Sequence, residues 1–152
     1  MEFIVFLDKI EVEIIKMVEK AGYRTAEDSE LCLLSENYVG FLNKRTKEII
    51  ICTENTKKRE GYSLLRMKSG DTYQRIAIHI KKALRHEAVH VAQECNGGKL
   101  LKIDKKLSMN TSKIKALNES TKISGEEEKE RQAYILEDKP RRIKNELRKY
   151  CL

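Results

Sequence analysis

Apolar residues recur near the helical period at the start of the chain. Ile4, Leu7, Ile10, Ile14, Met17 and Val18 fall close to one face, and Gly22 follows as a stop. This pattern predicts a helix over about residues 5–20. From Leu31 the texture changes. The runs 31–35, 37–43 and 47–54 are apolar or β-branched and bounded by turn residues, which predicts three strands between 31 and 53. Asn43-Lys44-Arg45-Thr46 reads as a turn joining two antiparallel strands. A basic loop, Lys57-Lys58-Arg59, and an apolar patch from Tyr62 to Met67 come next. Asp71 or Thr72 then supplies an N-cap for a long helix that meets no Gly or Pro until Gly97-Gly98. Ile76, Ile80, Leu84, Ala88, Val91 and Cys95 form its buried stripe. Residues 99–124 are polar and weakly periodic, and read as an extended loop with short turns. A last helical region opens in the acidic run 126–130 and breaks at Pro140, with a short terminal helix after it.

Composition narrows the picture. The chain has 152 residues, enough for one domain, and 40% of them are hydrophobic, enough for a core. No stretch reaches the roughly 18–20 apolar residues that a membrane span needs. The opening residues 1–15 lack a basic n-region and a small-residue cleavage site, so a signal peptide is not expected. Cys32, Cys52, Cys95 and Cys151 form no CxxC pair; reduced thiols and a cytoplasmic setting are the expectation. Cys95 reads as part of the core.

The net charge of +7 raises the question of nucleic acid. The basic clusters 57–59, 81–82, 105–106 and 141–142 are scattered and carry few aromatics, unlike a stacking platform. A dedicated nucleic-acid module is therefore not expected. A basic surface docked on an acidic protein partner stays open.

The chemistry lies inside the long helix, in His86-Glu87-Ala88-Val89-His90. Residues four apart stand on one helical face, so two imidazoles can converge on one metal ion, with the intervening Glu placed to take a proton from water. A catalytic zinc site takes three protein ligands. Only three histidines exist, and the third, His79, lies about 10 Å along the helix axis from His86. The remaining ligand must be a carboxylate or thiolate downstream. His79 itself reads as an ordinary helical histidine.

On these residues the chain resembles the gluzincins, zincin-type metallopeptidases in which HExxH is followed by a Glu ligand on a second helix, within E-x-x-A or E-x-x-x-D. Glu130-Arg131-Gln132-Ala133 matches the first form. The resemblance implies zinc (Zn2+) as cofactor, His86, His90 and Glu130 as ligands, and Glu87 as general base. Glu127, one turn earlier, competes with Glu130 for the third position. The Asp that often follows the Ala in larger members is Tyr134 here, and Glu137 or Asp138 can replace its hydrogen bond to a ligand histidine. Tyr134 is either an oxyanion donor or a packing aromatic. The resemblance covers both helices and hardly touches the first 30 residues.

The expected fold is one α+β domain over residues 1–152, zincin-like, with an N-terminal helix, a small mostly antiparallel sheet packed on the HExxH helix, and a C-terminal helical pair. In zincins an edge strand can pair with an extended substrate backbone. Residues 47–52 are a candidate for that edge, and their unbroken Ile-Ile-Ile-Cys run fits a central strand equally well. The expected activity is zinc-dependent hydrolysis of a peptide or protein substrate, including the narrow form of a regulatory peptidase. The alternative is a non-catalytic component of a larger complex that keeps the metal fold.

Overall fold

The structure, a computed structural model, describes residues 1–61, 70–103, 113–118 and 126–152. A 3-10 turn (Glu2–Phe6) leads into α1 (Lys9–Lys20), β1 (Arg24–Glu27) and a second 3-10 turn (Glu30–Leu34). Next come β2 (Gly40–Asn43), β3 (Glu48–Ile51), α2 (Thr53–Arg59) and α3 (Gly70–Cys95). A short helix, α4, occupies residues 113–118, and α5 (Glu127–Leu136) and α6 (Pro140–Cys151) follow. The class is α+β, helix-rich, with a three-stranded sheet. The patch from Tyr62 to Met67, and most of the loop expected over 99–124, lie outside the described residues.

α3 is the axis of the molecule. Ile76, Ile80, Leu84, Ala88 and Val91 are all fully buried, so the stripe read from the sequence is its core face. Each of the Ile, Leu and Val side chains contributes about 1.5–3 kcal/mol by leaving water. α1 adds Ile14, Ile15, Met17 and Val18 to this core, α5 adds Ala133, Ile135 and Leu136, and α6 adds Ile143 and Leu147. α3 ends as expected, with Gly97 and Gly98 at φ +72° and +75° and the Gly98 N–H donating to the Gln93 carbonyl at 2.9 Å. Its start differs: Gly70 is already helical, so Asp71 and Thr72 stand inside the first turn rather than at the cap.

The strand expectations need correction. Residues 31–35 do not form a strand; most of them lie in the 3-10 turn that begins after Ser29, whose Oγ accepts from the Leu31 N–H at 3.2 Å. The strand that takes its place is β1, whose polar residues Arg24, Thr25 and Glu27 carry no alternating pattern. Sheet order is β1-β3-β2, with β1 parallel and β2 antiparallel to β3, so the sheet is mixed rather than mostly antiparallel. β3 is central, which overturns its candidacy as the edge strand. Ile49 and Ile51 face the main core while Ile50 joins a second cluster with Cys32 and Cys52, so all three isoleucines are buried. The turn between β2 and β3 is as read: Asn43 Oδ1 accepts from the N–H groups of Arg45 and Thr46 at 3.1 and 3.2 Å.

Two helical expectations also change. The first helix is split, because Leu7 and Asp8 are extended and Asp8 becomes the N-cap of α1. The basic loop at 57–59 is the last turn of α2. That helix buries Asn55, whose amide donates to the carbonyls of Cys32, Ser35 and Tyr38 at 2.8, 3.1 and 3.1 Å.

The cysteines expected to be reduced are paired. Cys32 bonds to Cys52, and Cys95 to Cys151. The second bridge ties the last residue of α3 to the last residue of α6, so Cys95 is more than a core filler. Long spacings concealed both pairs, since folding alone brings residues 20 and 56 apart together. No helix among the described residues is long and apolar enough to cross a membrane.

Candidate metal centre

His86, Glu87 and His90 project from the middle of α3 and are buried, at 8%, 7% and 9% exposure. α5 packs against α3, and its Ala133 is fully buried in the same core as Ala88 and Ala92 of α3. Small side chains there let the helices approach closely. Glu130, one turn before Ala133, is thereby carried to the two histidines.

One carboxylate faces both rings. Glu130 Oε2 lies 3.0 Å from His86 Nε2, and its Oε1 lies 3.1 Å from His90 Nε2. A ligand atom from each residue lies within 4.8 Å of the other two, a buried group that can hold a metal ion. The inner nitrogens are committed elsewhere. His86 Nδ1 is 3.0 Å from Glu137 Oε2, and His90 Nδ1 is 2.8 Å from Gln93 Oε1.

These outer partners orient the rings and keep a proton on each inner nitrogen. Glu137 can only accept, so Nδ1 of His86 carries a proton. The amide nitrogen of Gln93 donates to the Lys129 carbonyl and to Gln132 Oε1, both at 3.1 Å, which leaves its oxygen to accept from His90. Gln132 is itself clamped on Leu101, donating to its carbonyl at 2.7 Å and accepting from its N–H at 2.9 Å. Among the described residues His90 Nε2 is then a buried atom without a hydrogen bond, despite the nearby carboxylate. An unsatisfied imidazole nitrogen beside a second imidazole and a carboxylate fits a divalent metal.

The charges respond to this enclosure. Burial opposes a proton on His86, but Glu130 and Glu137 outweigh it and push its pKa up to about 10. Burial also raises the Glu130 carboxyl, and the two histidines overcome that to hold it well below the ordinary carboxylate range. Glu87 goes the other way. Burial raises its pKa, partly offset by His86 and His90 and, least, by the Leu42 backbone on β2.

The other residues named from the sequence separate clearly. Glu127 is exposed and paired with Arg131 at 3.3 Å, away from the histidines. Asp138 is exposed and pairs with Lys113, so Glu137 alone of the two reaches a histidine. Tyr134 packs edge-on against His86, with ring centroids 4.4 Å apart, and its hydroxyl donates to the Ala116 carbonyl at 3.3 Å. His79 lies against Glu60 at 3.0 Å, outside the group. Sequence reading missed Gln93, Gln132, the Leu42 backbone and Lys113, whose Nζ stands 3.4 Å from Glu137 Oε1. Gln93 alone had a signal, as a polar residue three positions after His90.

Fold and site together define an α+β protein with a buried His-His-Glu group able to hold a metal ion. The chain belongs to the family described as a domain of unknown function (DUF8637), whose model matches residues 3–152. No curated protein and no solved structure matches it.

Proposed function

We propose that this protein is a zinc metallopeptidase with a zincin-like, gluzincin-type site. The observation that carries the reading is the buried Glu87 carboxylate, adjacent in sequence to His86, within a group whose Nδ1 atoms are both held by other side chains. Two imidazole nitrogens and one carboxylate oxygen are a zinc donor set, and His86, His90 and Glu130 would hold the ion. When bound, zinc lowers the pKa of water towards about 7 and polarises a carbonyl.

The chain's own residues do the rest. Glu87, made more basic by burial, takes the proton of the attacking water and delivers it to the leaving amine nitrogen. Glu137 and Gln93 orient the two rings. β2 is the antiparallel edge strand and stands next to Glu87, so it replaces residues 47–52 as the edge for an extended peptide. Gly40 keeps this edge close to α3: a Cβ there would meet the Ile50 carbonyl oxygen at 3.0 Å and Ala83 Cβ at 3.4 Å. The two disulfides support an oxidising compartment rather than the cytoplasm as the working site.

Hydrolysis of a quenched-fluorescent peptide library by zinc-loaded protein tests the assignment. Wild type is expected to cleave members of the library, and Glu87→Gln to keep its zinc while losing about 10²–10⁴-fold in rate. Cleavage that survives Glu87→Gln at full rate contradicts the general-base role. A zinc-loaded wild type that cuts nothing contradicts the peptidase assignment.

A further inference from the structure

The net positive charge is concentrated in the last 14 residues described, 139–152. Residues 139–152 hold six basic side chains against one acidic, Glu146, so five of the seven net charges lie in or beside α6. Ile143 and Leu147 turn the apolar face of α6 into the core. Arg141, Lys144, Asn145 and Arg148, spaced at i, i+3, i+4 and i+7, line an open cleft of about 460 Å³ opposite Lys9 and Glu13 of α1. Lys144 is neutralised by Glu13. Lys9, Arg141 and Arg148 make no ion pair among the described residues, and all three are exposed.

We propose that the α1–α6 cleft docks an acidic stretch of a partner polypeptide, with its Asp and Glu carboxylates paired to Lys9, Arg141 and Arg148. The stripe from Arg141 to Arg148 runs about 10 Å along the helix. Carboxylates on alternate residues of an extended strand repeat at about 6.6 Å, so two of them fit within that reach. Arginine forks match carboxylates in pairs of hydrogen bonds, and Asn145, whose Oδ1 accepts from Arg148 Nη1 at 3.1 Å, keeps its amide nitrogen as a neutral donor. No aromatic residue lines the cleft, so it has no surface on which to stack a base. Ile10 is its one apolar lining residue, too little to anchor in a bilayer. The site is independent of the metal centre.

Fluorescence anisotropy of a labelled oligoglutamate peptide, titrated with the intact protein, tests this. Wild type should bind at low salt and weaken steeply as ionic strength rises. The double variant Arg141→Ala/Arg148→Ala should bind about tenfold more weakly. Lys20→Ala/Lys58→Ala, which removes the same charge from exposed lysines elsewhere, should change affinity less than about twofold. Equal losses in the two variants would overturn the proposal, because net charge alone would explain them. So would tighter binding of a single-stranded oligonucleotide or of phosphatidylglycerol vesicles than of the peptide, or no binding of the peptide at low salt.

Discussion

Glu137 and Gln93 decide which nitrogen of each histidine faces inward. A carboxylate and an amide oxygen accept from the two Nδ1 atoms, so both Nε2 atoms turn to Glu130. Removing either partner frees a ring to rotate and lowers its basicity. Glu137→Ala and Gln93→Ala are each expected to weaken metal affinity by about 10–100-fold, measured by competition with a chelating dye. Affinity unchanged in both would show that ring orientation is set by packing alone. HExxH made His86, Glu87 and His90 legible in the sequence, because four-residue spacing on a helix is itself geometry. The outer partners were less legible. Glu137 and Asp138 are neighbours of the same chemistry and both reach Lys113, and only the packing of α5 on α3 decides that Glu137 alone also reaches His86.

Elements with strong periodicity were readable, and those held by distant partners were not. α3 declared itself through its apolar stripe and its glycine stop. β1 did not, since its residues gain strand geometry only by pairing with β3 in parallel register, Thr25 opposite Ile49. Residues 31–35 have strand composition but lie mostly in a 3-10 turn, closed by the Cys32–Cys52 bridge and by the three hydrogen bonds of Asn55. The second bridge acts at the same scale. It closes 56 residues between the ends of α3 and α6. Loop-closure entropy for that length stabilises the fold by about 4 kcal/mol. The double variant Cys95→Ser/Cys151→Ser is expected to lose about that much in urea unfolding, with a higher m-value because the unlinked denatured chain exposes more surface. A loss below about 1 kcal/mol would show that helix packing already holds the two ends together.

Across the whole molecule, one core built on α3 supports two separate surfaces. The metal group lies between α3 and α5, bordered by β2, while the basic cleft lies between α1 and α6. α6 serves both, burying Ile143 and Leu147 against the core and presenting Arg141 and Arg148 outward. Net charge, read from composition alone, gave no hint of this division, because it does not record where the charges fall. Metal content is the most direct test of the central claim. Protein purified without chelators and analysed by atomic emission is expected to carry about one zinc per chain in wild type and in Glu87→Gln, and almost none in Glu130→Ala. Wild type that takes up no metal after incubation with zinc, or a Glu130→Ala variant that binds it as tightly as wild type, would contradict the site.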